Sequence, residues 1–328
     1  MFVDFTNLNK ACPKDSYPFP QVDIPVDLTA RHQLLSFMDT FSSYKQIKLD
    51  EANQEKTSFI TSQGLFCYKV MLFGLKNAST TYQRLINKMF AHQIGRNVQV
   101  YMDNMLVKSR REHDHLDDLK KTFDTLHSYN MKINPRKCAF GVTAGKFLGF
   151  IMSQRGIEVN PNKIQAIMEM PPPRNMKEVQ SLNGKVAALN RFVSRVTDKC
   201  LPFFYTLKKH FEWMAKCQQA FEDLKAYLSS PSLLSPSKPG EELFLYLVIS
   251  PAAVSLTLVR AEDRVQKPIY YTSQVLRGAE ERYPSMEKLP FALVTSTHKL
   301  KPYFQAHTVV ILTDKTLRRA ISNPKATG

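Results

Sequence analysis

The spacing of apolar positions changes several times along the chain, and each change marks an element. Over residues 79–92, Tyr82, Leu85, Ile86, Met89 and Phe90 recur at steps of three and four, the period of one helical face, which predicts a helix. Residues 112–130 repeat that spacing and predict a second helix, with Leu116, Leu119, Phe123 and Leu126 turned inward. Residues 98–107 are instead a β-prone run that predicts one strand with Asp103 at its centre. The Pro- and Asp-rich residues 23–39, and the alternation through Tyr44, Ile47 and Leu49, predict extended segments, turns and strands.

Further on, Pro171, Pro172, Pro173 and Arg174 cannot continue a helix or a central strand and form a first linker. Helices are expected over 176–196 and 218–228, and the Pro- and Ser-rich stretch that follows is the clearest boundary. Beyond it, strands are expected at 243–249, 254–260 and 308–312, with a helical pattern over 285–303 interrupted by Pro290. The pattern divides the chain into residues 1–170, a helical region 171–229, a linker 230–240 and a mixed α/β domain 241–328.

A length of 328 residues, 43% of them hydrophobic, supports two or three modest cores and excludes general disorder. Charge adds to this picture: 45 Lys and Arg against 29 Asp and Glu leave a net +16, spread along the chain. Cations that neutralise phosphates release counterions, so such a balance on folded domains favours a nucleic acid partner over a merely basic surface. Cys12, Cys67, Cys138, Cys200 and Cys217 form no CxxC pair and have no zinc-spaced His, and are read as reduced thiols. No apolar run approaches the roughly 20 residues of a membrane span and no signal peptide opens the chain, so an intracellular protein without membrane partners is expected, in cytoplasm or nucleus.

Two carboxylates carry the candidate chemistry. Asp39 ends the apolar run Ser36, Phe37, Met38, and Asp103 lies between Val100, Tyr101, Met102 and Asn104, Met105, Leu106, Val107. An ionised Asp in an apolar strand costs several kcal/mol unless something pairs with it, and a divalent cation is the strongest partner. Either Asp taken alone reads better as a turn or edge carboxylate facing solvent.

Several segments in order change that balance. Met38, Asp39, Thr40, Phe41, Ser42, Ser43, Tyr44 is followed by Val70, Met71, Leu72, Phe73, Gly74, Leu75, Lys76, Asn77, Ala78, then by Tyr82 and Gln83, and then by Tyr101, Met102, Asp103, Asn104. Lys137, Cys138, Phe140 and Phe147, Leu148, Gly149 follow. Over nearly the whole chain this series resembles the reverse transcriptase and RNase H-like region of gypsy-type LTR retrotransposon polyproteins, plant elements in particular. The resemblance implies an α+β fold: a right-hand polymerase palm with partial fingers, a helical thumb or connection, and a truncated RNase H-like α/β domain.

It also implies RNA-directed DNA synthesis by two-metal nucleotidyl transfer, with Mg²⁺ or Mn²⁺ as cofactor. Partners would be an RNA or DNA primer-template, deoxynucleoside triphosphates and the other parts of a retrotransposon polyprotein. Asp39 and Asp103 map onto two metal-holding aspartates, and Asn104 stands where the family has the third. Tyr44 maps onto the ring under the nucleotide sugar, Phe73 and Gly74 onto the nucleotide pocket, Gln83 near template or nucleotide, and Tyr101 and Met102 onto the signature strand.

Asn104 brings no charge, the family's clamp Arg before Met1 is absent, and Ser43 and Leu72 replace Gly and Pro. Impaired synthesis is therefore expected, or a non-catalytic nucleic-acid-binding remnant. In the last domain, Glu287 and Asp314 remain at acid positions, while Val248 stands where the first Asp is required, so no RNase H activity is expected. His113 and His115, beside Asp114, read as solvated residues at a helix start. Lys108, Arg110 and Arg111 read as a surface patch or as contacts to a primer-template backbone.

Overall fold

Strand Leu34–Asp39 (β1) has Leu35 and Met38 buried and draws the first sheet around itself. The computed structural model describes residues 3–206 and 211–313, in two units, Met1–Gln154 and Arg155–Gly328. In the first unit a hairpin, Phe59–Thr61 (β2) with Gly64–Phe66 (β3), precedes a second hairpin, Val98–Tyr101 (β4) with Asn104–Ser109 (β5). With Ala139–Val142 (β6) they give a sheet of order β4-β5-β1-β6, and Ala144–Phe147 (β7) pairs with Phe150–Ser153 (β8). Strand β1 runs antiparallel to β5 in register from Leu34↔Ser109 to Asp39↔Asn104.

The helix read from residues 79–92 is Ala78–Met89. Its buried Tyr82, Ile86 and Met89 join Val98, Val100, Met105 and Val107 in one core. Each such side chain contributes about 1.5–3 kcal/mol by leaving water.

Several expectations change here. Residues 98–107 form a hairpin rather than one strand, and Asp103 sits in its turn. Residues 23–29 are a helix, Asp23–Thr29, with Pro25 inside its first turn, where no backbone donor is needed. Tyr44 lies in a short 3₁₀ turn, Ser43–Gln46.

Helix His115–Ser128 forms as expected, with Leu126 buried and Leu119 packed on the core; His115 and Thr122 are buried beside them, whereas Leu116 is 77% and Phe123 38% exposed. The inward polar positions find partners. Nδ1 of His115 lies 2.8 Å from Ser109 Oγ, which donates to Asp118 Oδ2 at 2.7 Å, and Nε2 lies 2.7 Å from Ser36 Oγ. His115 is thus not a solvated residue; burial pushes its pKa down, and Asp118 opposes that shift. Lys108 is likewise no surface residue. It is 3% exposed and its ammonium donates to the Leu28 carbonyl, while Arg110 and Arg111 stay exposed.

In the second unit, strand Gly156–Val159 (β9) bridges to Leu234 and precedes helix Pro161–Met168. The helix expected over 176–196 stops at Ala187; Asn190–Phe192 is a 3₁₀ turn, and Arg195 at φ 52° breaks the run before Val196–Lys199. Helices Leu201–Thr206 and Ala215–Leu228 follow.

Strands Leu243–Ile249 (β10), Ala253–Glu262 (β11), Val265–Val275 (β12) and Val309–Leu312 (β13) form a sheet of order β12-β11-β10-β13, with β13 parallel to β10. Strand β12 is an addition to the expected strands; it lies at the sheet edge, and Pro268 sits where the register with β11 shifts, so the missing donor is tolerated. Helix Ser285–Lys299 accommodates Pro290, and Lys301–Ala306 follows. The fold class is α+β. No helix among the described residues is long and apolar enough to cross a membrane.

Candidate functional site

The β1–β5 register gathers most of the predicted site. Asp39 ends β1 directly opposite Asn104, the first residue of β5, and Tyr101 at the end of β4 pairs with the same Asn104. Met102 and Asp103 are the two-residue loop between them. Met102 takes φ 53°, a conformation that L side chains adopt reluctantly but that tight hairpins need at the first loop position. Asp39 and Asp103 are half-buried and Asn104 is exposed. The Asn104 amide donates to Asp103 Oδ1 at 3.3 Å, and the Lys137 ammonium stands 3.6 Å from Asp39 Oδ2.

Gln83 holds this turn from beneath. It is fully buried, accepts the Met102 N–H at 2.8 Å through Oε1, and donates to Asn87 Oδ1 at 3.0 Å. Asn87 donates in turn to the Tyr17 hydroxyl at 2.6 Å. Both ends of the Gln83 carboxamide are thereby committed to protein.

An aromatic group stands beside the turn. Tyr44 is 8% exposed, hydrogen-bonds Ser79 Oγ at 3.0 Å, and meets Phe73 edge-on with ring centroids 4.5 Å apart and Tyr82 at 5.6 Å. The Tyr82 hydroxyl shares a 2.9 Å hydrogen bond with Thr40 Oγ1, which donates to Ser43 Oγ at 2.9 Å. Burial raises the Tyr82 pKa, and the charges of Asp103 and Asp39 add to the rise. Phe73 presents a 63% exposed ring. Gly74, at φ 94°, accepts from Asn9 Nδ2 at 2.7 Å and lies under Phe5, so helix Thr6–Ala11 is tied to the loop.

Glu287 lies in the second unit, exposed in the first turn of its helix, and Asp314 lies outside the described residues. Val248 projects from β10 with 40% exposure opposite Ser255. Lys137 is an addition to the site that its spacing in the sequence does not assign. Its basic neighbourhood was visible, but its approach to Asp39 depends on the Asn134 N–H bonding the Asp39 carbonyl at 2.8 Å, a long-range contact that no local pattern announces.

The β1–β5 register thus brings the strand-end Asp39 to the hairpin whose turn carries Asp103, with Tyr44, Phe73 and Tyr82 grouped nearby. Residues 1–152 match the family described as reverse transcriptase (RNA-dependent DNA polymerase), and residues 213–311 match the RNase H-like domain found in reverse transcriptase.

Among its relatives, the retrovirus-related Pol polyprotein from transposon opus of Drosophila melanogaster is 29% identical, over 96% of this chain and 33% of its own length. The Tf2-7 transposon polyprotein of Schizosaccharomyces pombe is 28% identical, over 96% of this chain and 24% of its own. The chain thus spans a third or less of these relatives. A foamy viral protease-reverse transcriptase solved with an RNA/DNA hybrid superposes with a TM-score of 0.86 at 19% identity, over 98% of this chain and 44% of that one. That likeness concerns the fold alone.

Proposed function

We propose that this chain is the RNA-directed DNA polymerase segment of a gypsy-type element of the plant kind, working inside the cell on a primer-template and deoxynucleoside triphosphates. Residues 1–170 would be palm and partial fingers, 171–229 thumb or connection, and 241–328, beyond the linker 230–240, an RNase H-like domain. The carrying observation is the register that sets Asp39 opposite Asn104 with Asp103 in the adjoining turn.

Among the described residues no group of three or more His, Cys, Asp or Glu is gathered for a metal ion. The donor set nevertheless fits a hard divalent cation through the half-buried Asp39 and Asp103 carboxylates, with the Asn104 amide as a neutral oxygen. Bound there, Mg²⁺ or Mn²⁺ would supply Lewis-acid activation of a primer 3′ hydroxyl and charge stabilisation at the leaving phosphate. The chain's own part is positioning. Gln83 fixes the Met102 turn that aims Asp103, Tyr44 offers a rigid ring under a nucleotide sugar, and Phe73 and Gly74 form an open wall for the base. Tyr101 and Met102 carry the strand end on which a primer terminus would rest.

A second reading, nucleic acid binding without catalysis, is favoured by Asn104 in place of a carboxylate and by Lys137 at 3.6 Å from Asp39, where an ammonium competes with a cation. One experiment separates the two. Purified chain is titrated with a labelled RNA/DNA primer-template over a salt series, then given nucleotides with Mg²⁺ or Mn²⁺. Salt-sensitive binding with extension supports the polymerase, binding without extension supports the second reading, and absence of binding overturns both.

A further inference from the structure

Hydrogen bonding beneath the Met102–Asp103 turn has a fixed polarity. The Met102 N–H can only donate, so the Gln83 atom 2.8 Å from it is the carboxamide oxygen, and the amide nitrogen points the other way. That nitrogen can only donate in its turn, which makes the Asn87 atom 3.0 Å away an oxygen and directs the Asn87 nitrogen to the Tyr17 hydroxyl oxygen, at 2.6 Å. Each carboxamide therefore has one orientation that satisfies the series and one that sets donor against donor. The phenol oxygen closes the series.

Burial makes the wrong orientation costly. Gln83 is 0% exposed, so bulk water cannot replace a lost partner, and Asn87 is half-buried. Residues 83 and 87 lie one turn apart on the same face of helix Ala78–Met89, which keeps the two carboxamides within reach of each other whichever way they are turned. The helix supplies proximity, not polarity. Polarity comes from Tyr17, 70 residues away from Asn87 in sequence.

Tyr17 is itself held on two sides. Its backbone N–H donates to Asp15 Oδ1 at 3.0 Å, and the Arg84 guanidinium, paired with Asp15 Oδ2, lies 5.1 Å from the centre of its ring. The Asp15 N–H donates to Asn77 Oδ1 at 3.0 Å, which anchors the segment at the start of the same helix.

We propose that Asn87 and Tyr17 are positioning residues for the palm: the Tyr17 hydroxyl sets the orientation of Asn87, Asn87 sets that of Gln83, and Gln83 thereby fixes the turn that carries Asp103. Neither residue bonds to Asp39 or Asp103, and both act through Gln83. The consequence for a bound metal rests on the polymerase reading above; control of the turn does not.

The test measures amide hydrogen exchange in the full ¹⁵N-labelled chain, at Met102 and, for reference, at Leu106 in the buried middle of β5. Asn87→Leu removes the acceptor for Gln83 and should speed exchange at Met102 on the order of tenfold or more, with Leu106 unchanged. Tyr17→Phe deletes one oxygen and should act in the same direction, more weakly. Asn87→Asp keeps an oxygen toward Gln83 and offers its second to the Tyr17 O–H, which then donates, so exchange should match the parent. Joined to Gln83→Leu, neither Asn87→Leu nor Tyr17→Phe should add anything, because the link through which they act is gone. Unchanged Met102 exchange in the single variants, additive effects on top of Gln83→Leu, or Asn87→Asp exchanging as fast as Asn87→Leu would overturn the relay. If Asn87→Leu does not fold, Tyr17→Phe, alone and with Gln83→Leu, decides the matter. Mn²⁺ titration of the same proteins by paramagnetic relaxation records the polymerase reading separately. Weaker binding in step with faster exchange extends the relay to the metal, whereas altered exchange with no Mn²⁺ binding in any of them supports the relay and overturns the metal site alone.

Discussion

The two four-stranded sheets of this chain treat charge in opposite ways. Strand β5 buries Lys108 against a neutral carbonyl, and burial with Arg110 nearby brings its pKa down to about 7. Strand β11 buries Arg260 to 2% exposure but pairs it with Glu241 at 2.8 Å, and Glu262 stands 3.7 Å away. The first sheet leaves its carboxylates, Asp39 and Asp103, at the open end of β1 and the turn beside it. The second spends Glu241 on the buried Arg260 and Glu262 on Lys238 and Lys267, at 2.7 and 2.6 Å, and sets Val248 half-exposed on the interior strand β10. Carboxylates held half-exposed with one loose ammonium near them are disposed toward something external; carboxylates tied to a buried guanidinium are disposed toward stability.

The sharpest way to break this contrast is to complete the first site. Under the proposed reading, Asn104→Asp returns the third carboxylate directly opposite Asp39. A gain of a few kcal/mol in transition-state stabilisation should accelerate single-turnover primer extension on the order of a hundredfold or more. Equal rates for the two proteins would show that the open carboxylates do not serve a metal.

Lys108 sharpens the comparison by pH. Its folded pKa, about 7, lies below the ordinary 10.5, so between those values the unfolded chain holds a proton that the folded chain lacks. Stability should therefore rise with pH across that window and lie lowest below it, where both states are charged. His32, lowered to about 4 chiefly by burial, titrates outside the window. Lys108→Met should flatten the rise and stabilise the protein at neutral pH by at most about a few kcal/mol, net of the lost bond to Leu28. Urea denaturation of parent and variant from pH 6 to 10 reads the difference, and parallel curves would contradict it.

Gln83→Leu comes next in size. It keeps the side-chain volume but strips the Met102 N–H of its acceptor in a turn already at positive φ, and should cost about 1–3 kcal/mol. Hydrogen exchange at the Met102 amide should speed up well beyond that at Val100. Unchanged exchange would place the turn's rigidity elsewhere.

The residues that the sequence made legible are those whose role is local. Helix Ala78–Met89 follows from period alone, and Asp39 and Asp103 stood out as acids in apolar runs. The Met102–Asp103 turn was hidden because β4 and β5 are both largely apolar and no Gly or Asn-Gly marks the loop; its Met102 N–H is held by Gln83, which is distant in sequence. The true face of helix His115–Ser128 was hidden for a similar reason. Its inward face mixes Leu119 and Leu126 with His115 and Thr122, and His115 becomes tolerable only once Ser36 and Ser109 arrive from two strands. Pattern reports hydrophobic burial well and paired polar burial hardly at all.

The smallest effect expected is at Val248, and its smallness carries the point. Strand β10 is continuous on both sides of this residue, and the side chain is 40% exposed, so Val248→Asp should alter stability by less than about 1 kcal/mol. Adding that one acid supplies a charge near the end of β10, where Asp198 already accepts from Ser250 Oγ at 2.7 Å, while Glu287 is exposed on a separate helix. The variant should fold, bind Mn²⁺ no more tightly than the parent by paramagnetic titration, and cleave no RNA strand of a hybrid. Recovery of cleavage from this single change would mean that the second sheet is as open to a metal as the first, and the contrast between them would be one residue deep.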